Sequence, residues 1–361
     1  MKSLDSFGAN DNERIRTLNT YQRQHSGGIL EPVVMPNRVV THSEKIELWS
    51  GLTLVSEAGT PAREYSRKPV LKYTGSGSQF LFTGTQSAQG YPGDGSPRDI
   101  DLVGIQFEGP STVDCFPSYD PTTYTANGGG HVTWMARIHN CGFKNFRRVY
   151  WGWWDGVSMT GVNHFQGIAD TALYVDGAEN LLFGGGMSFI DNANWARVPK
   201  PHIRTRMKKS RIGDVMPTAR GWSYQMAIES GTENLVVDGV AFDSQDAAPV
   251  SGASLRISGG KNITLTGCSF KGQADALAEA FEHGIIEIVG LDGDLTIGGN
   301  NFLRRGTRAA ASTPLIYVGP KVPDGLILVE GNNTDYEGVV LVSRPGQVFC
   351  TDPRLKIKVV Q

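Results

Sequence analysis

The sequence predicts an all-β chain wound as a parallel β-helix, a stack of short strands turning about a narrow core. Three observations carry that prediction. A phrase of alternating apolar residues, a turn, an Asn or Asp, a second alternating run, Gly and then Phe recurs. It reads LYVDGAENLLFGGGMSF from Leu173 to Phe189, AIESGTENLVVDGVAF from Ala227 to Phe242 and LRISGGKNITLTGCSF from Leu255 to Phe270. The anchor falls at Asn180, Asn234, Asn262 and Asp294, with 28 residues from Asn234 to Asn262 and 32 more to Asp294, a period that belongs to solenoids. Period-two alternation, such as Leu255 and Ile257 followed by Ile263 and Leu265, is strand patterning, and no helical pattern separates consecutive strands as a βαβ unit requires. Finally, 45 Gly and 18 Pro in 361 residues supply turns, while a hydrophobic fraction of 39% suffices for a narrow core.

Taken in chain order, residues 1–30 predict a cap. Asp11 or Asn12 can accept N–H bonds at a helix start, Ile15, Leu18 and Tyr21 or Gln22 form one apolar stripe, and Gly27 and Gly28 end the helix. Residues 31–345 predict the β-helix proper, with weaker copies of the phrase at Ile100 to Phe107, Val157 to Phe165 and Ile286 to Phe302. Phe107, Phe165, Phe189, Phe242, Phe270 and Phe302 then stack as an internal ladder, each roughly 4.8 Å above the last. Three excursions leave the coil, at about 110–130, 191–224 and 273–283. Residues 346–361 predict a C-terminal strand segment: Val339 to Val342 and Leu355 to Val360 still alternate, and pair with their own last coil or with another subunit. The whole reads as one domain.

Composition narrows the partners. A formal charge of −2 argues against nucleic acid, and no apolar stretch is long enough for membrane insertion. The start, MKSLDSFGANDNERI, lacks the apolar core of a secretory signal. Cys115, Cys141, Cys268 and Cys350 are too scattered for a metal site and are expected as free thiols, with Cys268 beside the Phe ladder. No zinc pattern, P-loop or dinucleotide fingerprint is present, so neither metal nor cofactor is expected.

The segment from Leu4 to Thr60 runs LDSFGANDNERIRTLNTYQRQ, then GGILEPVVMP, then IELWSGLTLVSEAGTP. It resembles the opening of pectate-lyase-like right-handed β-helices, especially bacteriophage tailspikes and minor tail proteins, where a "DFGA" phrase leads into a capping helix, a Gly-Gly strand and a "SGVTL" coil. The resemblance implies a right-handed solenoid, a homotrimer, a place in the virion tail with other tail proteins, and a bacterial surface polysaccharide as ligand. Polygalacturonase-like chemistry is not implied, because His283 and Gly284 form the only His-Gly pair and no Arg-Ile-Lys phrase accompanies it. Nor are there clustered Asp ligands for the calcium of pectate lyases.

Candidate site residues come from the excursions, since binding groups concentrate on loops held by a rigid scaffold. The second excursion carries Arg197, Lys200, Arg204, Arg206, Lys208, Lys209 and Arg211 with no acid between Asn192 and Gly213. It either holds an anionic polysaccharide, docks a neighbouring subunit or is a solvated insertion. Trp151, Trp153 and Trp154, with Trp195, Trp222 and Tyr224 in or beside that excursion, offer faces for sugar rings or pack as a satellite core. If Tyr150 to Val157 is a strand, Trp151 and Trp153 share one face and Tyr150 and Trp154 the other.

Glycoside hydrolysis needs two carboxylates about 5 Å apart for retention or roughly 6.5–9.5 Å for inversion. Aligning Val175 with Ile228 and Ile257 brings Asp176, Glu229 and Ser258 to one position, making Asp176 and Glu229 the first acid and nucleophile candidates. Asp170 and Asp243 follow, with Asp191 and Asp246, each against the alternative of a turn-capping Asp beside Gly. Three functions are therefore carried forward. The first is a phage tail protein that binds, and as a glycoside hydrolase or polysaccharide lyase depolymerises, host surface polysaccharide. The second is a purely structural or adhesive tail subunit, and the third is a cellular polysaccharide lyase, hydrolase or epimerase.

Overall fold

The structure, a computed structural model, describes residues 1–25, 30–57, 69–82, 98–117, 133–179, 181–190, 201–219, 225–244, 254–273, 284–305, 314–334 and 337–360. These residues form a right-handed parallel β-helix with a short N-terminal capping helix, and they group into two compact units, Met1–Met187 and Ser188–Gln361.

In the first unit the helix α1 runs from Asp11 to His25 and buries Ile15, Leu18, Tyr21 and Gln22, the predicted stripe, together with Asn19. Its N-cap is Asn10, not Asp11 or Asn12. Asn10 Oδ1 accepts from Glu13 N at 2.9 Å, and Glu13 Oε2 accepts from Ala9 N, one residue before the cap, at 3.0 Å, a capping box shifted by one residue on its return bond. Asp11 is committed elsewhere: it accepts from Arg38, Thr41 N and Arg14. Burial alone raises its carboxyl, but those hydrogen bonds outweigh burial and hold it below the ordinary carboxylate range.

The helix closes a strand edge. Asn19 Nδ2 donates to Lys45 O at 2.8 Å, Asn19 Oδ1 accepts from Glu47 N at 2.9 Å and Gln22 Oε1 from Trp49 N at 3.2 Å, so side-chain amides satisfy the peptide groups around the strand Ile46–Leu48. On its other edge that strand pairs in parallel with Phe80–Phe82. Two rows of parallel strands follow. One runs through Thr53–Ser56, Arg98–Val103, Thr133–His139 and Ser158–Thr160, and the other through Val39–His42, Val70–Tyr73, Gln106–Glu108, Gly142–Lys144 and His164–Gln166. Phe107, Phe143 and Phe165 pair in register, with ring centroids 5.5 and 5.2 Å apart. Phe143 is a rung the repeat phrase does not contain, because its coil carries CGFKNF rather than the full motif.

In the second unit three parallel rows are in register. The first holds Ile203, Met226, Leu255, Ile286 and Ile316 at one inward position and Thr205, Ile228, Ile257, Ile288 and Val318 at the next. The second row runs through Glu233–Asp238, Lys261–Thr266, Leu295–Gly298, Ile327–Glu330 and Val348–Cys350, and the third through Val215–Ala219, Ala241–Ser244, Ser269–Gln273 and Asn301–Arg305. Phe242, Phe270 and Phe302 stack at 4.7 and 5.1 Å with planes 4° and 11° apart, as the ladder predicts. At the anchor turn Asn234 and Asn262 have positive φ, and Asn262 Nδ2 donates to Asn234 Oδ1 at 2.9 Å. A second, partly buried ladder runs at the turn before the third row: Asn300 Nδ2 donates to Asn332 Oδ1 at 3.0 Å, and Asn332 Nδ2 to Asp352 Oδ2 at 2.7 Å.

The second excursion is only partly an excursion. Residues 191–200 lie outside the described residues, but Ile203–Gly213 is a strand of eleven residues and Val215–Ala219 another. Its alternation was hidden because the outward positions carry Arg204, Arg206 and Lys208, which read as a charge run while Ile203, Thr205 and Met207 face inward. Of the other two excursions, residues 118–132 and 274–283 lie outside the described residues. At the far end Leu355–Val359 pairs with Gly338–Val342, its own preceding coil. Cys115, Cys141 and Cys268 are buried free thiols; Cys350 is half-buried.

Candidate functional site

Three surfaces bear on function. On the second unit, the strand paired with Met226–Ile228 is Ile203–Gly213, so the coil neighbour of Glu229 carries Arg206, and Ser258 stands on its other side as aligned. The alignment that made Asp176 that neighbour skipped the Ile203–Gly213 coil, and the Asp176–Glu229 pairing is corrected accordingly. Glu229 is held by two guanidiniums: Arg204 Nη2 lies 2.6 Å from Oε1 and Arg206 Nε lies 3.6 Å from Oε2. Along the same sheet Arg211 pairs with Asp238 at 2.5 Å. The arrangement is a laterally paired charge ladder, suited to fixing strand register.

On the first unit Tyr150 faces inward and is buried, while Trp151 faces outward and is half-buried, the alternation expected of a strand. The Arg148 guanidinium lies 3.4 Å from the centroid of the Trp151 ring, and Tyr174 meets that ring edge-on at 5.2 Å. Arg148 also donates to Asp170 Oδ2 at 2.9 Å, and Thr171 N donates to Asp170 Oδ1 at 2.8 Å. Trp151 is thereby covered by a cation on one face. Next to this pair Arg147 holds the buried Asp114 bidentately at 2.8 and 2.6 Å, and the hydrogen bond raises the Arg147 guanidinium above its ordinary value. The backbones of Trp153 and Asp176 pair across adjacent strands. The side chains of Trp153, Trp154, Asp176 and Asp243, and all of Trp195, Trp222 and Tyr224, lie outside the described residues.

The third surface was not anticipated. A groove of about 430 Å³ on the second unit is lined by Thr264, Thr266, Thr296, Gly298, Gly299, Glu330, Gly331 and Thr351. Thr264, Thr266, Thr296, Gly298 and Glu330 are outward positions of the second strand row, where Thr264 pairs with Thr296, and Thr266 with Gly298 and then Glu330, while Gly299, Gly331 and Thr351 directly follow its strands. The signal lay in ITLTG and LTIGG, two runs read only for their apolar partners.

No family model matches the chain, and no curated protein does. Among solved structures it is similar to the A-module of the mannuronan C-5 epimerase AlgE6 from Azotobacter vinelandii, at 10% identity over 100% of both chains with a TM-score of 0.52. The AlgE4 A-module from the same organism gives 10% identity, 99% of this chain, 100% of that one and a TM-score of 0.50. A tailspike of the E. coli bacteriophage HK620, solved with a pentasaccharide, gives 12% identity, 99% and 80% coverage and a TM-score of 0.43. At these identities the likeness defines the class, a right-handed parallel β-helix, and not the reaction.

Proposed function

We propose that the chain is a bacteriophage tail component, of the tailspike or minor tail protein kind, that binds the surface polysaccharide of a bacterial host. The observation that carries this reading is the N-terminal order. The Asp5 to Ala9 phrase leads into α1, α1 lies against Ile46–Leu48, and the SGLTL strand follows at Thr53–Ser56. Polysaccharide suits the scaffold because parallel coils repeat outward side chains at about 4.8 Å, which a polymer of repeating sugars can follow. Binding without cleavage is favoured by the described carboxylates: Asp170 and Glu229 each have both oxygens engaged. A purely structural tail subunit is the second reading, favoured by the exposed apolar side chains of Leu355–Val359. Virion location, other tail proteins as partners and a homotrimer belong to the same proposal.

The test is to incubate the purified chain with capsular and O-chain polysaccharides from a panel of bacteria, then measure retention and polymer length. Retention without shortening is expected, unchanged in Glu229→Gln and Asp176→Asn. No retention of any polysaccharide overturns the binding reading. Shortening that either variant abolishes makes the chain a depolymerase.

A further inference from the structure

We propose that the threonine-lined groove of the second unit is a binding site for an uncharged glycan segment, with Phe349 as the stacking surface at its edge. The inference rests on the polysaccharide reading and gives it a site and a ligand class. The first argument is the glycine floor. Gly298 stands in a strand, without the positive φ that demands glycine, between Thr266 and Glu330 in the flanking coils. A Cβ built there meets Glu330 O at 3.4 Å, Glu330 Cγ at 3.6 Å and Thr296 Cγ2 at 3.8 Å, ordinary contacts, so a side chain fits and would fill the hollow. Glycine weakens a strand, and its use there marks close approach of something else.

The second argument is the chemistry of the lining. Thr264, Thr266, Thr296 and Thr351 present hydroxyls that both donate and accept, Glu330 is exposed with no ion pair among the described residues, and no cation lines the groove. Such a surface matches vicinal sugar hydroxyls and repels uronate or sialate carboxylates. The third is Phe349. Thr264, Thr296, Leu328 and Phe349 follow one another at one register position, and Phe349 is 66% exposed. Its ring continues the row of the groove as an apolar platform, the counterpart of the C–H face of a pyranose. A glycan laid along the coils meets hydroxyls first and the ring last.

The experiment is a microarray of neutral and of uronate- or sialate-bearing oligosaccharides, probed with the wild-type chain and with Gly298→Val, Thr296→Val, Phe349→Ala and Glu330→Gln, alongside thermal midpoints. Neutral glycans should bind, with about tenfold weaker binding in Gly298→Val and Phe349→Ala at unchanged midpoint. Glu330→Gln should admit acidic glycans. If Gly298→Val fails to fold, Thr296→Val, which keeps the shape and removes a hydroxyl, carries the comparison. Binding that all four variants leave intact overturns the groove while the polysaccharide reading stands. A preference for acidic glycans overturns the proposed ligand class, and silence across the array overturns both readings.

Discussion

His42 ends the strand Val39–His42 and is buried, its Nδ1 2.7 Å from Glu44 O and its Nε2 3.3 Å from Gln79 Nε2. That pattern fits a neutral ring donating from Nδ1 and accepting at Nε2. Burial lowers its pKa from 6.5 to about 4. The unfolded chain therefore takes up a proton on this ring as pH falls below 6.5 while the folded chain does not. The stabilisation is complete above pH 6.5, is lost toward pH 4 and amounts to roughly 3 kcal/mol. Denaturation midpoints measured from pH 7 to pH 5 should fall in the wild type and fall less in His42→Gln; parallel profiles would remove His42 as the cause. The sequence around His42 holds only one of its partners, the Glu44 carbonyl; the burial and Gln79 come from a later coil. The same holds for Arg148, whose seat over Trp151 depends on the turn between two strands.

At the scale of the element, α1 was legible and its contacts were not. The stripe Ile15, Leu18, Tyr21 and Gln22 follows from helical spacing, but Asn19 lies on that stripe as a polar residue whose purpose appears only beside Lys45 O and Glu47 N. Asn19→Leu leaves those two peptide groups unmatched and should cost about 1–3 kcal/mol, read as a lower thermal midpoint with increased association. An unchanged midpoint would mean that water replaces the amide. The strand Ile203–Gly213 teaches the complementary lesson. Alternation is visible in a sequence when outward residues are unremarkable, and it is masked when they are all cationic. The threonine groove escaped for the opposite reason, since Thr264, Thr266 and Thr296 are ordinary strand residues until two adjacent coils place them side by side.

At the scale of the molecule, the fold class was legible because a solenoid repeats its core: the Phe and Asn positions recur in sequence at the same interval as they recur in space. Sites do not repeat, and so left little trace. The strand Leu355–Val359 exposes Ile357 at 45% and Val359 at 43%, although both continue inward positions of the preceding strand. The proposed homotrimer would cover them. Light scattering should give three times the monomer mass, and Ile357→Lys with Val359→Lys should give monomers whose thermal midpoint matches that of the diluted wild type. A monomeric wild type removes the trimer and leaves the fold untouched. The cap has a further consequence, for the order of events during synthesis. Because α1 precedes in sequence the strand whose edge it closes, one side of the nascent first coil can be sealed while later coils are still being translated. Growth is then free to proceed from the other side alone, so the solenoid would assemble in the direction in which the ribosome delivers it.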